Sequence, residues 1–256
     1  MTTKRSAPQR DHHRTEYYRR RNLPHPTMQA TIKPYTNNAL GHTMRFLLLL
    51  LMTTAMISIS GCESTYYNAM EKVGVHKRDI LVDRVGEAKE AQKDAQEQFK
   101  DALTEFRSVV SFDGGDLEAH YKRLNGEFED SEAAAQEVSD RINKVESVAD
   151  ALFDEWQDEL QLYTNARLRS DSANKLQATK RQYSALIKSM RRAEKSIDPV
   201  LNALRDNVLY LKHNLNASAI GALKGELAGI DRDVQQLIGA MEKAIRESDA
   251  FIKQLK

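Results

Sequence analysis

LEAHYKRLNGEFEDSEAAAQEVSDRINKVESVADALFDEWQDELQLY, residues 117–163, carries the pattern that decides the fold. Alternating steps of four and three residues from Leu117 meet Tyr121, Leu124, Phe128, Ser131, Ala135, Val138, Ile142, Val145, Ala149, Leu152, Trp156, Glu159 and Tyr163, and twelve of these fourteen positions are apolar. A period near 3.5 residues gathers them on one stripe of an α-helix and leaves the charged residues on its other faces. A helix of this kind cannot bury its stripe alone, so the rest of the chain must supply partners.

It does so on both sides. The same stepping from Leu81 meets Val85, Ala88, Gln92, Ala95, Phe99, Ala102, Phe106 and Val109, apolar at every position except Gln92. A third run passes through Tyr183, Leu186, Met190, Ala193, Ile197, Val200, Leu204, Val208, Leu211 and Leu215, and a fourth through Ile220, Leu223, Leu227, Ile230, Val234, Leu237, Met241, Ala244, Phe251 and Leu255. The runs are punctuated at Ser111–Asp116, where Gly114 and Gly115 end one helix and Asp116 can cap the next, and by a softer stretch at Asn165–Asn174. A third break falls at His213–Asn216, where Asn216 or Ser218 can accept from the next helix's free amides. Pro199 interrupts the third run and predicts a kink beside Asp198, with a fresh helix start as the alternative. The expected fold class is all-α: an elongated antiparallel helical bundle, or coiled-coil hairpins, of about four long helices of ~40 to 50 residues, ~60 to 75 Å each. Trp156, Phe99, Phe106 and Phe128 fall on the stripes and are expected in the core.

Upstream of the helices the composition changes. Residues 1–43 hold four of the five prolines, eight basic residues and two acidic ones, and form a polar basic leader expected to be disordered or not translated, with translation starting at Met44 or Met28. Residues 46–59, FLLLLLMTTAMISI, carry no charge. Fourteen residues of helix cover only ~21 Å of a hydrocarbon core ~30 Å thick, so a cleaved secretory segment fits better than a spanning helix. Ile59-Ser60-Gly61-Cys62 resembles a bacterial lipobox. The resemblance implies that residues 44–61 are a lipoprotein signal peptide, that cleavage falls between Gly61 and Cys62, and that Cys62 carries the lipid. A buried small hydrophobe is the plainer reading of a lone cysteine. Glu63 after the cysteine leans toward outer-membrane sorting.

The expected mature domain, residues 62–256, has 29 basic against 35 acidic residues, which argues against nucleic acid as a partner. A single cysteine excludes an intrachain disulfide framework and multi-cysteine metal sites. His76, His120 and His213 show no di-iron or zinc spacing, and there is no phosphate-cradling glycine loop, so no metal, cofactor or enzymatic activity is expected.

With Cys62 at a membrane, the turns at Asp113 and at His213-Asn214-Asn216 should lie together at the far tip, where they are candidates for partner contact. His213 is otherwise a helix-end histidine favoured by the dipole. Gly221, Gly225 and Gly229 form a ridge of small residues; each glycine costs ~1 kcal/mol in a helix interior, which suggests a packing use. Close packing within the chain is the first expectation and an interface with another helix, from a partner or a second copy, the other.

Ser64-Thr65-Tyr66-Tyr67 with Glu71-Lys72, Met190-Arg191-Arg192-Ala193-Glu194, Pro199-Val200-Leu201 and Leu211-Lys212-His213-Asn214-Leu215-Asn216 followed by Ile220 resemble the bacterial domain of unknown function 2959 family. The resemblance covers most of residues 63–256. It implies a helical envelope protein of unassigned activity and supplies no catalytic residue. The functional expectation is a lipoprotein of the bacterial cell envelope, in the outer membrane and facing the periplasm, that serves as a structural or scaffolding protein; the alternative is a helical bundle that senses a small periplasmic ligand.

Overall fold

The computed structural model describes Tyr66, Tyr67, Met70 and residues 74–255, all within the unit that spans Ile57–Lys256. The leader, the signal segment, Gly61 and Cys62 lie outside the described residues. Among the described residues five long helices follow one another: α1 (Lys77–Val110), α2 (Leu117–Glu159), α3 (Ala166–Lys195), α4 (Ile197–His213) and α5 (Ala217–Leu255). Helices α3 and α4 form one interrupted rod, so four rods make the bundle, and the described residues contain no strand. Their lengths are 34, 43, 30 with 17, and 39 residues; the second and third rods fall within the expected span, the fourth just below it, and only α1 is clearly shorter.

Each rod packs against its two neighbours in a closed ring: α1 against α2 and α5, and the α3–α4 rod against α2 and α5. The periodicity explains why. All nine stripe positions of α1, from Leu81 to Val109, are fully buried. The stripes of the other rods meet them with Leu124, Ile142, Met190, Leu204, Leu211 and Leu237. Each large apolar side chain so buried contributes ~1.5 to 3 kcal/mol, enough to hold together helices that would be marginal in isolation.

Ala135, Tyr183 and Leu227 are only half-buried within their stripes, and the stripes become exposed at the ends. Tyr163 and Leu215, both expected to continue a stripe, are exposed, because α2 stops at Glu159 and α4 at His213. Trp156, expected in the core, is half-buried, while Phe99, Phe106 and Phe128 are buried. The soft stretch at Asn165–Asn174 resolves into a turn at 160–165, and Asn165 caps α3 by accepting from the amides of Arg167 and Leu168 at 3.0 and 3.2 Å. Asp116 caps α2 and Asn216 caps α5 in the same way.

The interruption near Pro199 is a fresh start rather than a kink at the proline. Ser196 ends α3 with φ −78° and ψ −5°, and its hydroxyl donates to the Ala193 carbonyl at 2.6 Å. Pro199 then sits in the first turn of α4, where its missing N–H removes nothing from the helix. Ile197, Val200 and Leu204 remain buried, so the stripe passes through the break.

Ion pairs and hydrogen bonds stitch the rods along their outer edges. Arg141 of α2 reaches Glu87 of α1 at 2.6 Å, Lys89 of α1 reaches Asp249 of α5 at 3.0 Å, and Arg205 of α4 reaches Glu132 of α2 at 2.7 Å. Arg107 pairs with Asp231, and Arg191 with Glu146. Hydrogen bonds to Glu146 and Glu194 raise the Arg191 guanidinium further, against the effect of burial. Burial, and then the Glu146 and Asp150 carboxylates, push the Tyr183 hydroxyl up.

Candidate functional site

The chain enters the bundle alongside α1 and α2. The Tyr67 hydroxyl lies 3.1 Å from Ser147 Oγ, Val75 N–H donates to the Met70 carbonyl, and Gly74, at φ +87°, reverses the chain before α1 begins. At that end, called the base, Lys77 pairs with Glu155 and the Trp156 indole donates to Ser172 Oγ at 2.8 Å. A cleft of about 490 Å³ opens there between α1, α2, α3 and α5, with Arg78, Trp156, Glu159, Lys175 and Gln254 in its wall.

The other end is the tip. A cleft of about 510 Å³ is lined from one side by Phe112, Asp113, Gly114 and Gly115, and from the other by Leu215, Asn216 and Gly221. The two turns expected to lie together at one end do so. Gly114 and Gly115 hold φ +151° and +116°, conformations that side chains other than glycine rarely adopt, and this lets the α1–α2 turn fold tightly. Leu215 in the cleft wall is exposed, as are Leu209 and Tyr210 toward the end of α4. His213 is the last residue of α4 and exposed, whereas the Asn214 side chain is tied down, donating to the Tyr210 carbonyl at 2.8 Å.

Close packing on the glycine ridge within the chain does not occur. A Cβ at Gly221, Gly225 or Gly229 would meet no other heavy atom within 4 Å, because the ridge lies on the face of α5 opposite its buried stripe of Leu223, Ile230 and Val234. Only Gly221 joins the tip cleft.

Near the tip, Ser108 Oγ stands 3.3 Å from His120 Nδ1, with Glu105 at 3.5 Å from that same nitrogen and Arg123 at 2.8 Å. A serine–histidine–carboxylate relay needs the serine on one ring nitrogen and the carboxylate on the other. Here both converge on Nδ1, where the Arg123 guanidinium is also placed, and the His120 ring packs edge-on against Phe112 instead. The cluster is a fastening between α1 and α2 that sequence spacing did not reveal, since its members come from two helices. Among the described residues no group of three or more His, Cys, Asp or Glu side chains could hold a metal ion, and no helix is long and apolar enough to cross a membrane.

A family model, DUF2959, described as a protein of unknown function, matches residues 66–255. The chain belongs to this family. The match takes in the whole of the bundle, both clefts and both ends, so the DUF2959 unit is the bundle itself. No curated protein matches the chain.

Proposed function

We propose that this DUF2959 chain is a lipoprotein of the bacterial cell envelope, held through an acylated Cys62 in the outer membrane and facing the periplasm, whose bundle works as a scaffold and offers its tip to another envelope component. The observation that carries the reading is the placement of the two ends. The chain enters beside Ser147, in the base half of α2, while Asp113, Asn216 and the exposed Leu215 line the cleft at the opposite end, with His213 at the end of α4 and Asn214 in the turn that follows. An exposed Leu215 in the wall of a cleft, with Leu209 and Tyr210 also exposed toward the end of α4, is the kind of surface that binding covers. A densely filled interior leaves the turns and the outer faces as the parts free to meet a partner.

A small-molecule sensor is the second reading, favoured by the base cleft, where Trp156 offers an aromatic wall and Arg78 and Glu159 offer opposite charges. Scaffolding accounts for more of the molecule, because an internal sensing site would need a void among the stripe residues.

Photocrosslinkers placed at positions 113 and 213 in cells test the scaffold. The expected result is one envelope protein captured from both positions and lost on Leu215→Asp. Capture of nothing at either position, with a small molecule co-purifying, would favour the sensor.

A further inference from the structure

We infer that the turn between α2 and α3 is a second membrane contact, dipping into the interface of the bilayer that holds the lipidated Cys62. The inference rests on the lipoprotein reading and extends it to a surface of the bundle. Leu162 is 79% exposed, the most exposed large apolar side chain among the described residues, and Tyr163 and Leu168 beside it are also exposed. Together they make an apolar fingertip on a turn that is braced rather than loose: Leu162 N–H donates to the Glu159 carbonyl at 3.0 Å, and the Asn165 side chain caps α3 directly behind.

The charges on the α3 side of the fingertip suit lipid phosphate, while Asp158 and Glu159 stand exposed on its α2 side. Between Leu160 and Ser170 the only charged residues are Arg167 and Arg169, both exposed and neither engaged through its side chain in a hydrogen bond or ion pair. The nearest acidic residue that follows, Asp171, is occupied by Lys175 at 2.9 Å. Leucine and tyrosine at the headgroup boundary with arginines alongside is the composition of an interfacial anchor.

Chain length decides which end meets the bilayer. Cys62 lies five residues before Tyr67, and five extended residues reach at most ~17 Å. From Ser147, the partner of Tyr67, the base end of α2 at Glu159 is twelve residues away, ~18 Å, while the tip end at Leu117 is thirty residues away, ~45 Å. Fully stretched, the tether comes within ~1 Å of the level of the base and stays ~28 Å short of the tip, so the base is the end that can meet the surface holding Cys62. A single lipid contact would leave the body swivelling; a second one at the α2–α3 turn would stand the bundle on its base and aim the tip away from the bilayer.

Because Cys62 is the only cysteine of the chain, Leu162→Cys or Leu209→Cys in the acylated protein gives one free thiol for an environment-sensitive fluorophore. The full acylated protein is incorporated into vesicles of phosphatidylcholine and phosphatidylglycerol, with mass spectrometry of the same sample to establish acylation. The expected result is a blue-shifted emission at 162, quenched about twofold or more by lipids carrying a spin label at a shallow acyl position, as fits insertion of ~5 to 10 Å. Position 209 should show neither effect, and Arg167→Glu with Arg169→Glu should diminish the quenching at 162. An acylated, vesicle-bound protein with no quenching at 162 would overturn the inference and leave the anchor standing. Quenching at both positions would mean that the bundle lies on its side, and would overturn it as well. Absence of acylation, with no vesicle association, would overturn the anchor and this inference together.

Discussion

Lys77 Nζ stands 3.3 Å from Glu155 Oε2, with the lysine only 5% exposed, and this pair joins the first turn of α1 to the last turns of α2. The aliphatic stem of Lys77 packs as a hydrophobe while its ammonium meets the carboxylate at the rim. Glu155 is 31% exposed, so the loss on breaking the pair is well below that of a fully buried one. Lys77→Ala is expected to lower stability by ~2 kcal/mol, and Lys77→Met, which keeps the stem, by about half as much. Urea denaturation of the two variants checks this; equal losses would show that the stem contributes nothing.

Gln92 lies on the buried stripe of α1, and neither its amide nitrogen nor its amide oxygen has a hydrogen-bond partner. Each such group costs ~1 to 3 kcal/mol. Gln92→Leu, close in volume, is therefore expected to stabilise the bundle by ~1 to 3 kcal/mol and to raise its melting temperature by ~2 to 4 °C per kcal/mol. Thermal unfolding followed by circular dichroism measures it, and a lower melting temperature would contradict the placement of Gln92 in an apolar interior.

The outward glycine ridge makes the opposite prediction to one packed inside. With open space around each added Cβ, Gly221→Ala, Gly225→Ala and Gly229→Ala should each stabilise α5 by ~1 kcal/mol, and the triple variant by ~3 kcal/mol. Denaturation midpoints of the single and triple variants decide it. A loss of stability would return the ridge to a packing role.

Much of this architecture is legible in the sequence because a 3.5-residue period over forty residues leaves a chain few alternatives. The nine α1 positions from Leu81 to Val109 follow from stepping alone, and the cap Asp116 from its place after the paired glycines; for the last helix the sequence offers Asn216 or Ser218, and Asn216 takes the role. The outward direction of the glycine ridge was not legible, because small residues fit both a close contact and an open face. Tyr163 and Leu215 continue a stripe in sequence yet lie exposed, since periodicity does not register where a helix stops. The Ser108–His120–Glu105 cluster and the Tyr67–Ser147 contact join residues from separate segments, and only the register between helices brings them together.

Acid should loosen the α1–α2 edge at Glu87. Burial works to raise its carboxyl, but hydrogen bonds and charge from Arg84 and then Arg141 outweigh that and hold it below the usual carboxylate range. A carboxyl depressed in the folded state contributes stability above its unfolded value near 4.5, and loses it as the pH falls through the lower folded value. The group is partly exposed, so solvent screening limits the contribution to ~1 kcal/mol or less. Glu87→Gln should therefore be less stable than the parent at neutral pH and indistinguishable from it below the carboxylate range. Paired denaturation curves at the two pH values test the sign, and a difference that persists in acid would contradict it.

The lipid anchor depends on what Cys62, the sole cysteine of the chain, carries. Intact-mass and peptide analysis of the protein extracted from its native membranes, alongside metabolic labelling with a clickable fatty acid, reads this directly. The expected chain begins at Cys62, bears acyl groups there, and loses the label on Cys62→Ser. A chain that retains residues 1–61, or a label unchanged by that substitution, would contradict it.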